Sequence, residues 1–267
     1  MTTLPTFTKP VLIYVPCYNC AGSAAQVIRQ IPRAFDQVAE VLLVDNCSDD
    51  DTGPVVSLQL RDVPATLPVQ IIRTRRNLGY SGSQKLAYQI ALANPAVETV
   101  IMLHGDGQYP PELCDQFLPL AQKGFDLVYG YRSKTRYPTQ EETPWLTFTI
   151  IRLLSILESL VTRIFRKEWH TGFNMYSTRY LRRVPFQLIT ETPHIDGHLL
   201  YAASRLSAKV VGLPIFKRYK NLKAFDGDER LHYVLNVFRL MFRFQRIDLK
   251  AEAPRSLFSP DDYSVIP

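Results

Sequence analysis

The stretch Val100-Ile101-Met102-Leu103-His104-Gly105-Asp106-Gly107-Gln108-Tyr109-Pro110-Pro111 decides how the rest of this chain is read. Its first four residues are apolar and read as a short buried strand. Glycines on either side of Asp106 stop the strand in a tight turn. Gln108 follows two residues on, and the proline pair opens a new segment, since Pro suits a first helical position. Asp106 and Gln108 are thereby held at the carboxyl end of a parallel-type strand, the edge at which open α/β sheets bind ligands. Hard cations such as Mg2+ or Mn2+ take oxygen ligands, usually one or two carboxylates plus substrate phosphates. A turn that uses Asp and Gly for backbone reasons gives the same letters. On this stretch alone a metal loop and a plain polar turn stay open.

Working outward, strand patterns occur at Val11 to Val15, Val41 to Val44, Val69 to Ile72, Val97 to Leu103, Phe125 to Tyr129 and Val210 to Pro214. Helical patterns fall between or after them, at Ala21 to Ile31, Gly79 to Ala93, Pro111 to Gln122, Trp145 to Arg166 and Gly197 to Leu206. The alternation predicts an α/β fold, a mainly parallel sheet flanked by helices. Polar residues gather where strands end, at Asn19, Asp45, Asn77 and Asp106, so a parallel sheet brings them to one cleft. Neither a Gly-x-Gly-x-x-Gly fingerprint nor a Walker loop is present, which argues against a dinucleotide dehydrogenase or a nucleoside triphosphatase.

The 267 residues suit one large α/β domain with a small extension. A net charge of +6 favours acidic partners such as nucleotide phosphates or an anionic membrane surface. No aromatic-basic recognition module is visible, so nucleic acid is not an expected partner. Four cysteines are too few for a disulfide scaffold. Cys17-x-x-Cys20 has no second pair to complete a zinc site and reads as two small turn residues. Without a leader pattern or an uninterrupted apolar run of about 20 residues, a cytoplasmic protein is expected, peripheral at the inner face of the membrane if it touches one.

Pro16-x-Tyr18-Asn19, Val44-Asp45-Asn46-x-Ser48-x-Asp50-x-Thr52, Asn77-x-Gly79 and Asp106-Gly107-Gln108-x-x-Pro111 occur in one order across the first half. Together they resemble glycosyltransferase family 2, and within it the dolichyl-phosphate-mannose-synthase-like branch. The resemblance implies a GT-A fold and a metal-dependent, inverting transfer of a sugar from a nucleoside-diphosphate sugar. The acceptor would be a polyprenyl phosphate or a hydroxyl of a glycan or lipid, in cell-envelope or glycan biosynthesis. It also implies residue roles. Pro16, Tyr18, Asn19 and Asp45 would lie on the nucleobase side of the donor. Asn77, Gly79, Asp106 and Gln108 would complete the donor site, with Asp106 and Gln108 on a Mg2+ or Mn2+ ion. His104 stands where the family has a further Asp, and is a third candidate ligand. Cys20, Asn46, Asn174 and His198 also replace charged family residues.

Farther along, Arg132 ends the fifth strand and resembles a family arginine near the diphosphate or acceptor, for which a bidentate guanidinium is suited. Lys85 and the cluster Arg73, Arg75 and Arg76 read either as solvated charge or as phosphate-facing. His170, in a block resembling the family's His-Thr-Gly-Phe segment, is a candidate ligand on the far side of the metal or a loop residue. Asp196 resembles the acceptor-side carboxylate, as catalytic base for a hydroxyl or as a positioning group for a phosphate. An N-cap on Gly197 to Leu206 is its plain alternative. Lys217 and Arg218 resemble a basic segment that closes over phosphates, with Arg218 in the donor site. Trp145 to Arg166 reads as a buried helix or as one at a membrane surface.

The chain divides into a catalytic domain over 1–225, an amphipathic helix within 226–250 for packing, dimerisation or membrane contact, and a tail over 251–267 expected to be poorly ordered. A sugar-1-phosphate nucleotidyltransferase is disfavoured, because the loop after the first strand lacks a basic residue. The competing reading is a degenerate, non-catalytic nucleotide-sugar-binding or assembly protein of the same fold, motivated by the lost charges.

Overall fold

The computed structural model describes residues 4–189, 194–219 and 256–267, with a few residues between 235 and 252. The amphipathic helix expected within 226–250 lies almost wholly outside the described residues.

In chain order the elements are β1 (Val11–Cys17), α1 (Ala24–Arg29), β2 (Ala39–Asp45), α2 (Thr52–Asp62), β3 (Val69–Thr74), α3 (Gly79–Ala93), β4 (Thr99–Met102), α4 (Leu118–Gln122), β5 (Leu127–Arg132), α5 (Trp145–Thr162), β6 (Asn174–Ser177), α6 (Thr178–Leu181), α7 (Ile195–Arg205), β7 (Val210–Ile215) and β8 (Tyr263–Ile266). They build one eight-stranded sheet in the order β7-β5-β6-β4-β1-β2-β3-β8. The pairs β1–β2, β1–β4, β2–β3 and β5–β7 are parallel, while β6 runs antiparallel between β4 and β5.

The two faces of the sheet follow the two-residue period of a strand. Leu12 and Tyr14 of β1 face one core with Leu86 and Ile90 of α3 and Leu199 of α7. Val11, Ile13 and Val15 face the other, with Val27 and Ile28 of α1, Val56 of α2 and Phe117. Both faces are covered, which is why the central strands read as unbroken apolar runs.

Two expectations need correction. The tail ends in β8, antiparallel to β3, with Thr74 opposite Tyr263 and Ile71 opposite Ile266. Tyr263 is fully buried there, and Ser259 and Asp262 form a capping box before the strand. The unpaired edge of β3 supplies the hydrogen bonds that order this segment. The second correction concerns α5, which is not a buried helix. Its inward side is mostly polar: Ser155, Glu158 and Ser159 are buried beside Leu154. Trp145, Leu146, Leu153, Ile156 and Leu160 are exposed instead, Leu153 at 61%. The polar side faces in because it has partners there: Ser159 Oγ accepts the Trp169 indole N–H at 3.1 Å and Ser155 Oγ the Trp169 backbone N–H at 3.3 Å.

Candidate active site

The parallel register sets Cys17, Asp45 and Arg73 side by side at the carboxyl ends of β1, β2 and β3. The loop after β4 joins them, because Leu103 N–H donates to Tyr14 O at 2.9 Å and Gly105 N–H to Pro16 O at 3.1 Å. Gly105 is required by this approach: a Cβ there would lie 2.3 Å from Cys17 Sγ. Asp106 Oδ1 then accepts the Gln108 backbone N–H at 2.9 Å, closing an Asx turn. Gln108 O accepts Arg218 N–H at 2.8 Å, which ties the loop to the segment after β7.

His104 packs edge-on against Tyr109, with ring centroids 4.9 Å apart, and its Nε2 lies 3.5 Å from the Tyr80 hydroxyl. Burial pushes its pKa below the ordinary histidine value against the pull of Asp106, so the ring is held neutral. Gly172 covers it so closely that a Cβ would lie 2.6 Å from His104 Nε2.

The Lys217 ammonium stands over the opposite side of Tyr109's surroundings, 5.0 Å from that ring's centroid. Burial, then the Arg132 charge, lowers its pKa, while Asp106 is among the groups that support its charge. Its ammonium makes no hydrogen bond or ion pair among the described residues. Arg218 points elsewhere, pairing with Glu112 while its guanidinium covers Phe216. Of the two basic residues expected to close over phosphates, Lys217 is the one turned toward Tyr109, while Arg218 is held by Glu112.

Arg132 is 3% exposed and fully engaged. Its Nη2 lies 2.6 Å from Glu168 Oε1 and donates to His170 O at 2.9 Å, and its backbone N–H donates to Glu168 Oε2 at 2.7 Å. Burial opposes its charge, but Glu168, with Tyr109 and Tyr219, outweighs burial and raises its pKa. Through these bonds Arg132 locks the chain before β6 to the end of β5. Lys85 is likewise occupied: it is buried, and its ammonium donates to Ile189 O at 2.6 Å and Gln187 O at 3.2 Å.

On the nucleobase side, Asp45 is 0% exposed. Its Oδ1 accepts Ser48 N–H at 2.9 Å, and its Oδ2 accepts Gly53 N–H at 3.1 Å and the Arg73 guanidinium at 3.3 Å. Both oxygens shape the β2–α2 loop. Asn46 bonds Asn77 Oδ1 at 3.0 Å and Gly79 O at 3.2 Å through Nδ2, and Asn77 Oδ1 also accepts Gly79 N–H at 2.8 Å. Asn19 adopts a left-handed φ of 56°, tolerated by Asn, and its backbone N–H donates to Ser48 Oγ at 3.0 Å. Beside it, Tyr18 is half exposed with its hydroxyl 3.2 Å from Asp49 Oδ2, and Pro16 is partly exposed.

Asp196 lies in the first turn of α7 and is not its N-cap, which is His194. Its Oδ2 accepts the Tyr80 hydroxyl at 2.7 Å, and its Oδ1 accepts Tyr176 at 2.7 Å and Gln84 at 2.8 Å. Since Tyr80 also reaches His104, the carboxylate connects through one side chain to the loop after β4. His170 does not reach that loop: its Nε2 lies 2.8 Å from Glu158 Oε2 on α5.

The family model described as Glycosyl transferase family 2 matches residues 12–189, more than half of the chain. The chain belongs to glycosyl transferase family 2. Among curated relatives, the undecaprenyl-phosphate 4-deoxy-4-formamido-L-arabinose transferase of Pseudomonas syringae pv. syringae (strain B728a) is 32% identical over 128 residues, 47% of this chain and 36% of that protein. The enzyme of the same name from Aeromonas hydrophila is 28% identical over 174 residues, 64% of this chain and 50% of that protein. The chain thus spans half or less of the length of these relatives. Glucosyl-3-phosphoglycerate synthase from Mycobacterium tuberculosis, solved with Mn2+, UDP and glucosyl-3-phosphoglycerate, superposes with a TM-score of 0.62 at 16% identity, over 90% of this chain and 81% of that one. That likeness establishes the GT-A fold.

Against the family 2 pattern, sequence reasoning missed the cage around Asp196. Tyr80 and Gln84 are four residues apart on α3, and Asn174 and Tyr176 two apart on β6, where Asn174 Nδ2 donates to Tyr176 Oη at 3.2 Å. Those spacings share a helix face and a strand face, so they were open to pattern reading. Glu168, which neutralises Arg132, carries no such signal.

Proposed function

We propose that this chain transfers a sugar from a nucleoside-diphosphate sugar to a polyprenyl phosphate, with inversion at the anomeric carbon. The observation that carries the donor half is the meeting of Asp106, neutral His104 and the unpaired Lys217 ammonium at the carboxyl edge of the sheet. A cation and a metal-competent carboxylate side by side suit a diphosphate. Asp106 Oδ2 takes no hydrogen bond among the described residues, and with the Gln108 amide oxygen it offers oxygen ligands that suit Mn2+ or Mg2+, with the His104 ring as a third candidate for Mn2+. When bound, such an ion neutralises the departing diphosphate. Lys217 adds positive charge to the same oxygens. Tyr18, Pro16 and Asn19 would receive the base, on a loop that Asp45 holds in shape.

The acceptor half is supported by the names of the curated relatives, which act on undecaprenyl phosphate, and by Asp196. A phosphate acceptor is already anionic and needs no base. Asp196, with both oxygens hydrogen-bonded, suits the positioning of Tyr80 and His104 better than proton abstraction. In the single displacement, the anomeric C–O bond to the diphosphate breaks as the acceptor phosphate oxygen forms its own. A lipid-borne acceptor would place the reaction at a membrane surface.

The competing reading, a non-catalytic nucleotide-sugar binder, draws on Asn46 and His104 in carboxylate positions. One experiment separates the two. Transfer from a panel of nucleotide sugars to polyprenyl phosphate is measured with Mn2+ and Mg2+, for the natural chain and for Asp106→Asn. We expect transfer with one donor and a fall of about a hundredfold or more in Asp106→Asn, with an unchanged Tm. Full activity in Asp106→Asn would sink the metal assignment, and donor binding without any transfer or hydrolysis would favour the binder.

A further inference from the structure

A second cluster of ligating side chains lies outside the donor site. Glu158 on the inward side of α5, His170 on the segment before β6 and His194 at the cap of α7 bring their ligand atoms within 4.8 Å of one another. Glu158 Oε2 lies 2.8 Å from His170 Nε2, and Oε1 lies 2.8 Å from His194 Nε2. The two imidazoles stack at 29° with centroids 5.1 Å apart, so both present Nε2 to one carboxylate. All three side chains are buried, at 1%, 4% and 6% exposure for His170, Glu158 and His194. His198, one helical turn beyond His194, stands edge-on to it at 5.5 Å.

We propose that this cluster is a Zn2+ site that clamps α5 to the start of α7 and to the segment before β6. Two imidazole nitrogens and one carboxylate oxygen form a donor set that zinc takes, with a fourth position left for water. The set is wrong for Mg2+, which keeps oxygen ligands and several waters. The ligands come from a helix, a connecting segment and a helix cap, so binding them joins three separate parts of the fold. Two of those parts bear on the donor site: His194 is two residues from Asp196, and His170 two from Gly172, which covers His104. Each imidazole must offer an unprotonated Nε2, so occupancy weakens in acid.

The test uses the full chain purified without added metal, analysed for bound metal by mass spectrometry, then stripped and titrated with Zn2+ or Co2+. We expect one Zn2+ per chain in the natural protein and in Asp106→Asn, a rise in Tm on adding Zn2+ but not Mg2+, and a tetrahedral Co2+ absorption spectrum. His194→Ala and His170→Ala should lose the metal. His194→Cys should keep it and add a cobalt–thiolate band, which covers the case in which the alanine variants fail to fold. The proposal is overturned if the natural chain takes up no stoichiometric Zn2+ or Co2+. It is equally overturned if binding survives unchanged in folded His194→Ala, or if it disappears in Asp106→Asn.

Discussion

His104 stands where the family pattern has a carboxylate, and under the proposed metal reading its ring sets what the loop after β4 can hold. Only the neutral imidazole ligates a metal. Burial lowers its pKa, so the neutral form persists as pH falls from about 7 through the ordinary histidine value of roughly 6.5. Mn2+ binding in the presence of a nucleoside diphosphate, followed by calorimetry at stepped pH, should hold through that interval and weaken only in more acid solution. A midpoint at or above the ordinary value would remove His104 from the ligand set. Arg132 allows a sharper test. Arg132→Met leaves Glu168 buried without its partner, for which about 3–5 kcal/mol of lost stability is expected. Arg132→Met combined with Glu168→Met should recover most of it in urea unfolding, because neither charge is then stranded. An equally unstable double variant would mean that Arg132 acts through packing alone.

At the scale of elements, α5 carries Leu146, Leu153 and Leu160 outward and its serines, with Leu154, inward. A helix of 18 residues, long and apolar enough by composition to cross a membrane yet with 22% of it buried, offers a surface suited to lipid. Changing Leu153, Ile156 and Leu160 together to Gln should lower co-sedimentation with anionic vesicles severalfold while moving stability little, since exposed substitutions usually fall within about 0.5 kcal/mol each. Vesicle binding that survives this triple change would place membrane contact elsewhere. Periodicity reveals that a helix has two sides but not which side meets the core, and here the partners Trp169, His170 and His194 decided it. The strands that frame the site were legible for the opposite reason. β1, β2, β3 and β4 are apolar runs closed by polar turns, and their ends carry Asn19, Asp45, Asn77 and Asp106. α2 went unseen because it opens on Thr52-Gly53-Pro54, a sequence that reads as a loop. β6 is four residues with polar ends. Positions of site residues were thus readable from strand ends, whereas their orientations depended on partners such as Glu168 and Glu112 that no motif announces.

For the whole molecule, buried titrating groups set the response to acid. Burial and neighbouring His194, opposed by Glu158, bring the pKa of His198 down to about 3 from an ordinary 6.5. Below that ordinary value the unfolded chain takes up a proton that the folded chain refuses, so stability falls as pH drops from 6.5 toward 3. In the metal-free protein, burial works against the ionised form of Glu158, but His170 and His194 hold it at about 2 rather than 4.5, which adds a further loss below 4.5. Thermal unfolding between pH 7 and about 4 should show Tm declining throughout, with a shallower slope in His198→Gln. An unaltered slope would exclude His198 as a source.

The strand at the far end of the chain has its own consequence. Arg75 bonds Asp261 across 186 residues, and Ser57 reaches the Pro267 carbonyl across 210. Closing so long a loop costs little more than closing a shorter one, but contacts this distant in sequence form late. On the ribosome, the donor-binding half of the sheet therefore emerges with β3 bare along one side, and stays so until β8 is made. That interval is when a nascent chain is most exposed to pairing with its neighbours, and when a chaperone would have the most to shelter.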